Sequence, residues 1–552
     1  MIGNNHMLKN KASGKPYSIL MIIPKQKATR EKDYTYIFPL GITYISAVLK
    51  KEGYNVDCLN MNHKIGTPEE IINEQLNKKN YDFVGTGSIT TAYQVMKKII
   101  DTLKIHRSRP KVILGGLIIT SEPETIFKLL EPDYAVIGEG EETVIELLEA
   151  IKQKRDLKKI KGIEFRDDKG ELILTETKQP TNNLDTWPYP DYEGFEFDKF
   201  LNNLHPNSHD YIYSAFDRPR VYSIMGSRGC PFNCTFCYHY NRYRKRSVDS
   251  IMQELEIMVP KYKTNIILFY DECIAADKVR LTELCKKMTE LRQKISWEIK
   301  WYPQLTVHNI DDETLKMMKD AGVAGVSYGF ESFSPTVLKS MNKPITPQMI
   351  DSAFKKTMKA GLTMQANFIF GDTAETMETA METLSWWKKN AHGQIHLLFI
   401  QPYAGSKIYE YALKKGIIKD KAEFISSVVP FSKFNLTEKM NDGEMEILRR
   451  EILKATAEYS KFAVPRLAKI KDKIYNLEVK CPHCKEKFTY GNCCIENKYT
   501  FAHILPCRKC GMLFYIVSRI AKIGYKNYVF FRSVRDLQKK IQRKIEELRL
   551  KL

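Results

Sequence analysis

Short, nearly continuous apolar runs recur along the first third of the chain. Ser18-Ile-Leu-Met-Ile-Ile23 is the first, and Asn55 to Asn60, Phe83 to Gly87, Lys111 to Leu114 and Tyr134 to Ile137 repeat it. Such runs predict strands buried on both faces. The stretches between them carry apolar residues three and four apart and predict helices, Gly41 to Glu52 among them, ending near Gly53. Strands alternating with helices predict an α/β fold with a doubly wound parallel sheet. Ligands of such sheets sit beyond the carboxyl ends of the strands. That singles out Gly85-Thr-Gly-Ser-Ile-Thr-Thr91 with Ser88 and Thr90, the Gly115-Gly116 pair, and Gly138-Glu139-Gly140. Glycines there admit tight turns and close approach of a ligand to backbone, although each loop alone is equally well explained as a turn.

From Arg220 the alternation resumes. Six strand candidates follow: Val221–Met225, Ile266–Tyr270, Trp297–Trp301, Gly325–Phe330, Thr363–Phe370 and Ile395–Ile400. Asp442 to Ala463 is charged and helical in period, with Pro465 as its expected stop. Beyond Ser533, Val534, Leu537, Ile541, Ile545, Leu548 and Leu552 recur at helical spacing among Lys and Arg, predicting a basic amphipathic helix. The pattern divides the chain into 1–180, a linker 181–215, a second α/β domain 216–420, a helical bridge 421–475, a small module 476–518 and a tail 519–552.

Composition changes this picture little. A chain of 552 residues with 43% hydrophobic and 28% charged residues has room for two or three globular domains. Met1 to Ser18 lacks an apolar core, so no signal peptide is expected, and no run approaches a membrane span. A cytoplasmic, reducing location follows, in which the 12 cysteines read as metal ligands and free thiols. Cys58, Cys273 and Cys285 are expected to be ordinary buried thiols. The net charge of +20 is concentrated near the end, with 11 Lys and Arg against 3 Asp and Glu from Ile516 onward. It admits nucleic acid or an anionic surface as a partner without favouring either.

The cysteines carry the chemistry. Gly226-Ser-Arg-Gly-Cys-Pro-Phe-Asn-Cys-Thr-Phe-Cys-Tyr238 places Cys230, Cys234 and Cys237 at C-x3-C-x2-C spacing directly after a strand. Three thiolates on one loop can hold three corners of a cubane iron–sulfur cluster and leave the fourth iron open for a small molecule. A zinc loop completed by His239 is the alternative, although structural zinc usually takes two separated ligand pairs. Cys481-Pro-His-Cys484 and Cys507-Arg-Lys-Cys510 are such pairs, and predict a four-cysteine zinc ribbon. An auxiliary iron–sulfur cluster drawing on Cys493 and Cys494, or a rubredoxin-like iron, fits the same residues.

The three-cysteine loop, with Phe236 before its last cysteine, resembles the radical S-adenosylmethionine (SAM) superfamily. Phe38-Pro-Leu-Gly-Ile-Thr-Tyr, Leu114-Gly-Gly with Pro123 after it, and Gly138-Glu-Gly-Glu resemble the N-terminal cobalamin-binding domain of one large branch. The hairpin around Gly162 to Glu176 and Leu184-Asp-Thr-Trp-Pro-Tyr-Pro-Asp191 are similar to that branch's linker. Gly329-Phe-Glu-Ser-Phe-Ser334, Phe370-Gly-Asp-Thr-Ala-Glu-Thr376 and Gln401-Pro-Tyr-Ala-Gly-Ser406 resemble further blocks of the family, in order. Two departures stand out. Pro24-Lys-Gln-Lys-Ala-Thr-Arg30 lacks the Asp-x-His-x-x-Gly that gives cobalt a histidine, and Leu305-Thr-Val307 stands where relatives often carry an arginine.

The resemblance implies a Rossmann-like cobalamin domain, then a (β/α)6 partial TIM barrel, then the ribbon. It implies a [4Fe-4S] cluster on Cys230, Cys234 and Cys237. SAM would meet Asp271 or Glu272, Glu331 and Ser332, beside Phe236 and Tyr238. Cobalamin would meet Ser88, Thr90, Gly115, Gly116, Gly138, Glu139 and Gly140. The implied activity is methyl transfer to an unactivated carbon of a small-molecule or lipid substrate, with flavodoxin or ferredoxin as electron donor. A radical cyclase, oxidase or rearrangement without methylation is the alternative. RNA methylthiolation is disfavoured, because Cys58 is the only cysteine before Cys230. From a different class comes a zinc-ribbon nucleic-acid-binding protein with an inactive barrel.

Overall fold

In a computed structural model of the chain, residues 16–27, 29–209, 211–240, 242–274, 277–308, 310–427, 434–525 and 527 are described. They form two compact units. One is Met1–Phe200 with Tyr403–Gly405 and Ile418–Pro430; the other is Leu201–Pro402 with Ser406–Ile417 and Phe431–Leu552.

The first unit is built on β1 (Ser18–Ile23), β2 (Asn55–Asn60), β3 (Phe83–Gly87), β4 (Lys111–Gly115) and β5 (Tyr134–Val136), followed by the hairpin β6 (Ile163–Arg166) and β7 (Leu172–Leu174). The order is β2-β1-β3-β4-β5-β6-β7. The first five are parallel and the hairpin adds two antiparallel edge strands. Residues Ile19 to Ile23 are all buried, as a two-faced strand requires. The helix Leu40–Lys51 lays Leu40, Tyr44, Val48 and Leu49 on this sheet, with Lys50 and Lys51 favourably placed in its last turn.

This unit runs to Phe200, beyond the boundary expected at 180. The reason is aromatic. Tyr192 and Phe197 pack against Phe38 at ring distances of 5.8 and 4.8 Å, and Phe200 against Tyr36 at 5.0 Å. Each fully buried ring of this kind contributes about 2–3 kcal/mol. Asp191 completes the clasp, accepting from Ser46 and pairing with Lys50 at 2.6 Å.

The second unit contains β8 (Val221–Ile224), the two-residue β9 (Ser227–Arg228) and β10 (Arg244–Lys245), then β11 (Ile266–Phe269), β12 (Lys300–Tyr302), β13 (Gln304–Leu305), β14 (Gly325–Glu331), β15 (Thr363–Phe370) and β16 (His396–Phe399). β8, β11 and β12 form one parallel sheet and β13 to β16 another, with Trp301 bridging to Val323 between them. The third strand expected at Trp297–Trp301 lies further along and is cut in two at Pro303, which has no N–H to give the ladder. Every strand and its neighbour in the barrel follow chain order. Among the described residues the outer edges of β8 and β16 are unpaired, so the barrel is open. Tyr328 meets Thr357 of the helix Pro347–Ala360, and Phe368 meets Trp386 of the helix Met377–Asn390. The alternate residues Ser327, Gly329, Gln365, Asn367 and Ile369 therefore line the inner face.

The bridge is helical only in part. Its long helix, Asp442–Tyr459, starts at a capping box on Asn441 and ends before Pro465 is reached. The ribbon begins there, earlier than residue 476. β17 (Phe462–Ala463) pairs with β22 (Leu513–Val517), which pairs with β21 (Ala502–Pro506). β18 (Arg466–Lys471), β19 (Ile474–Lys480) and β20 (Lys487–Cys494) form a second sheet. These added strands give the module a core of its own, including Leu477, Tyr490, Leu505 and Phe514. The amphipathic tail expected beyond Ser533 lies outside the described residues.

Candidate functional site

In the first unit the chain leaves β1 toward β2 on one side and returns to β3 on the other, so the switch point lies between β1 and β3. The glycine loops cluster at the carboxyl ends beside it. A side chain at Gly87 would collide with the carbonyl of Gly115. Gly116 has φ +84°, and a Cβ there would lie 2.8 Å from the oxygen of Ser88. That oxygen accepts from Ile118 N at 2.9 Å. Gly138, at φ +85°, donates its N–H to Thr120 Oγ1 at 2.9 Å, and Thr90 Oγ1 lies 3.3 Å from Ser121 Oγ. Ser88 is thereby tied backbone to backbone to Ile118 with Gly116 packed against it, while Thr90 and Gly138 are tied to side chains of the next loops. Gly140 lies against Ile45, and Glu139 is half-buried in the same turn. Gly115 has nothing within 4 Å of its missing side chain. The result is a floor of bare backbone flanked by exposed Ile89 and Leu117. A broad, amide-rimmed ring system such as a corrin fits a floor of this kind.

No histidine reaches that floor from the loop after β1. In that loop Lys25 is buried and donates to Gly66 O at 2.8 Å, and Asn62 Oδ1 accepts from Gln26 N. Nothing in the hydrophobic pattern marks Lys25 as buried. His63 is held between Tyr36 and Glu196 at 2.9 and 3.1 Å, and burial lowers its pKa to about 4. It is a core histidine and not a metal ligand.

In the second unit the three-cysteine loop leaves the carboxyl end of β8. The β9–β10 ladder closes its base, pairing Arg228 with Arg244 and Ser227 with Lys245. Asp271, at the end of β11, accepts from Gly226 N at 2.9 Å and from Ser227 Oγ. Arg280 donates to Gly226 O at 3.0 Å and to Arg246 O at 2.6 Å, and Arg246 pairs with buried Glu254 at 2.6 Å. Burial raises Asp271 to about 6, against the pull of these hydrogen bonds and arginines. Asp271, expected to meet SAM, is instead only 1% exposed and fastens the loop's first two residues. The far side of the loop is tied by Thr235 N to Met341 O at 3.0 Å and by Asn342 Nδ2 to Asn233 O at 2.8 Å.

Glu272 points elsewhere. His239 Nδ1 lies 2.9 Å from its carboxylate, as an ion pair and not as an aligned hydrogen bond. A hydrogen bond with Cys237, and then that carboxylate, hold the imidazole's pKa up at about 10. Phe236 and Tyr238 are half-buried, and burial raises the Tyr238 hydroxyl to about 12. Glu331 sits at a bulge in β14 with φ +62° and pairs with Lys343 at 3.2 Å. A side chain at Gly329 would collide with that carboxylate, so glycine is what lets the pair fold back over the strand. In the sequence Lys343 stands in the Met341-Asn-Lys343 run that follows the Gly329–Ser334 block of the resemblance, with no role attached to it. It lies in the electrostatic reach of Cys234 and Cys230, a position only the fold creates. Ser332 does not join this group; it accepts from Ser334 N and lies 3.3 Å from Thr383 Oγ1.

The spacing of the thiols separates two kinds of site. A single zinc ion with Zn–S near 2.3 Å requires its sulfurs about 4 Å apart. Cys481 and Cys510 lie 4.0 Å apart and Cys484 and Cys507 3.6 Å apart, and all four sulfurs are within 4.8 Å of one another. Among the described residues the only other group this compact is Cys230, His239 and Glu272. Cys230, Cys234 and Cys237 do not converge on a single-ion position. They are not gathered within the distance that unites the ribbon thiols, and the zinc site of three cysteines and His239 weighed from the spacing is not formed. Burial raises the thiols of Cys230 and Cys234, the latter to about 11.

Comparison with known proteins agrees with both halves. Residues 27–148 match the B12 binding domain and residues 224–386 the radical SAM superfamily. An uncharacterised methyltransferase of Pyrococcus horikoshii is 28% identical over 409 residues, covering 72% of this chain and 84% of its own. An anaerobic magnesium-protoporphyrin IX monomethyl ester cyclase of Rubrivivax gelatinosus is 25% identical, over 72% of this chain and 68% of its own. The fold resembles that of TsrM, a radical SAM methyltransferase from Kitasatospora setae. The TM-score is 0.58 at 17% identity, covering 73% of this chain and 76% of that one.

Proposed function

Since the chain belongs to the radical SAM enzymes that carry an N-terminal B12-binding domain, we propose that it transfers a methyl group to an unactivated carbon of a small molecule. The observation that carries this is the three-cysteine loop on the first barrel strand, in one polypeptide with the glycine floor. When bound, the cluster supplies one-electron cleavage of SAM and the corrin a carrier for the methyl group.

The chain's own residues do the rest. Cys230, Cys234 and Cys237 would hold the cluster, and Asp271, Arg280 and Arg246 fix the loop that carries them. The Glu331–Lys343 pair offers one charge of each sign for the amino and carboxylate groups of SAM. His239, paired with Glu272, places a positive charge beside Cys237. Ser88, Thr90 and the glycines at 115, 116, 138 and 140, with Glu139 beside them, present backbone to the corrin. Ser327, Gln365 and Asn367 place neutral hydrogen-bonding groups on the inner face of the barrel, which suits a polar, uncharged part of the substrate.

The test is anaerobic turnover of the reconstituted protein with SAM, a low-potential reductant and cobalamin. S-adenosylhomocysteine and 5′-deoxyadenosine are both expected, together with a corrin spectrum that changes on binding. Ring closure without methylation is the second reading, supported by the cyclase of Rubrivivax gelatinosus. It requires 5′-deoxyadenosine without S-adenosylhomocysteine.

A further inference from the structure

The four ribbon cysteines are usually a sign of a free-standing recognition module, but here the residues around the second pair are committed to the barrel. Arg508, between Cys507 and Cys510, donates to Ser214 O at 2.9 Å and pairs with Asp217 at 2.8 Å. Asp217 also receives Gly491 N at 2.8 Å, and the adjoining segment adds Asn207 Nδ2 to Cys494 O at 2.6 Å and His205 to Asn492 O at 2.7 Å. These residues lead into the amino end of β8, the first barrel strand.

The same knuckle grips the other end of the sheet. Gly511 has φ +72°, and a Cβ there would meet the backbone at Gly361 O, Leu362 C and Thr363 N at 2.8, 3.0 and 3.1 Å, at the amino end of β15. Gln394, fully buried just before β16, donates to Leu513 O at 2.9 Å and accepts from Leu513 N at 2.7 Å. His483, between the first pair of cysteines, lies 3.1 Å from the same Leu513 oxygen. One stretch, 507–513, therefore touches the segment leading into β8 on one side, and the start of β15 and the residue Gln394 before β16 on the other. All these contacts are at the amino ends of the strands, opposite the cysteine loop.

We propose that Cys481, Cys484, Cys507 and Cys510 hold a structural zinc whose role is to lock this stretch as a brace across the barrel's unpaired seam. Two hairpin turns of this size are weakly held in register without a metal. Besides the thiols and the His483 contact, the hairpins share an exposed Lys509–Glu486 pair, which contributes little, a hydrogen bond from Arg508 to Thr489 O at 3.2 Å and one from Tyr490 to Pro506 O. With the metal in place, Arg508, Gly511 and Leu513 are presented as one rigid edge. The brace fixes the spacing of β8, which bears the cluster loop, relative to β15 and β16, which bear Gln365, Asn367 and His396. A ribbon committed in this way does not present its second knuckle to nucleic acid.

The test is metal analysis with amide hydrogen exchange on the full chain, kept anaerobic. The wild type is expected to hold about one zinc per chain in addition to its iron. Cys484→Ser should lose that zinc and exchange about tenfold faster in peptides spanning 211–224, 361–370 and 394–399, while 18–23 and 111–115 are unchanged. Arg508→Ala and Gln394→Leu leave the thiols intact and should keep the zinc, the first loosening only 211–224 and the second only 394–399. The proposal is overturned if the wild type holds no ribbon metal, or if the barrel peptides keep their protection when the zinc is gone. Should Cys484→Ser prove insoluble, the two zinc-retaining variants decide: unchanged exchange in both overturns it.

Discussion

The chain places cysteines in two regions that share a residue type and little else. The ribbon's four thiols converge within 4.8 Å of one another, whereas the loop's three do not converge on a single-ion position. The ribbon lies on hairpins with a small core of their own, and the loop hangs from one strand and is held by charges outside it. The difference shows that spacing in sequence does not by itself decide what cysteines bind. What decides is whether the surrounding backbone brings the sulfurs to one point.

The strongest way to break the comparison is to remove one ligand from each site. Cys234→Ser is expected to abolish SAM cleavage, a fall of at least about a thousandfold, with little change in melting temperature. Cys484→Ser should do the reverse, lowering the melting temperature by on the order of 10 °C as a metal-held module loses its metal. Loss of SAM cleavage measured by deoxyadenosine release, set against melting curves, separates the two; equal effects on both readouts would erase the distinction.

Smaller changes sharpen it. Asp271→Ala leaves Arg280 and Arg246 buried beside an empty position and is expected to cost about 3 kcal/mol in denaturant unfolding of the second unit, with loss of bound iron. Gly329→Ala should displace the Glu331–Lys343 pair while leaving the cysteines in place. The expectation is a roughly tenfold weaker SAM affinity with unchanged cluster absorbance. Retained affinity would remove that pair from the SAM site.

The smallest effect concerns a buried acid that, unlike Asp271, has no hydrogen-bond partner on either carboxylate oxygen among the described residues. This acid, Glu164 on β6, is fully buried. Burial raises its pKa from 4.5 to about 7. A folded pKa above the unfolded one means that its contribution is fully present below about pH 4.5 and is lost as pH rises through 7. Urea unfolding of the first unit should weaken by about 1–2 kcal/mol between pH 5 and pH 8, and Glu164→Gln should flatten that slope.

The departures from expectation share one cause. Asp271 reads as a ligand contact because it ends a strand next to the cysteine loop, and that position also lets it serve the loop's backbone. Ser332 sits beside Glu331 in sequence, but a bulge and a positive φ at Glu331 send the two side chains to different partners. Lys343 carries no periodic signal. The first unit's true end follows from aromatic residues between 192 and 200, whose partners at Tyr36 and Phe38 are more than 150 positions away.

By itself the sequence determined the order of strands and helices, the two cysteine sets and the glycine loops. Each of these rests on local rules: periodicity, turn chemistry and ligand spacing within a few residues. Only the tertiary structure decided which thiols converge, which acids face a ligand and which hold a loop. It also decided that the ribbon grips the segment leading into β8, the start of β15 and Gln394 before β16. Those outcomes depend on distances between segments remote in the chain, and such distances are set by packing, which no local pattern records.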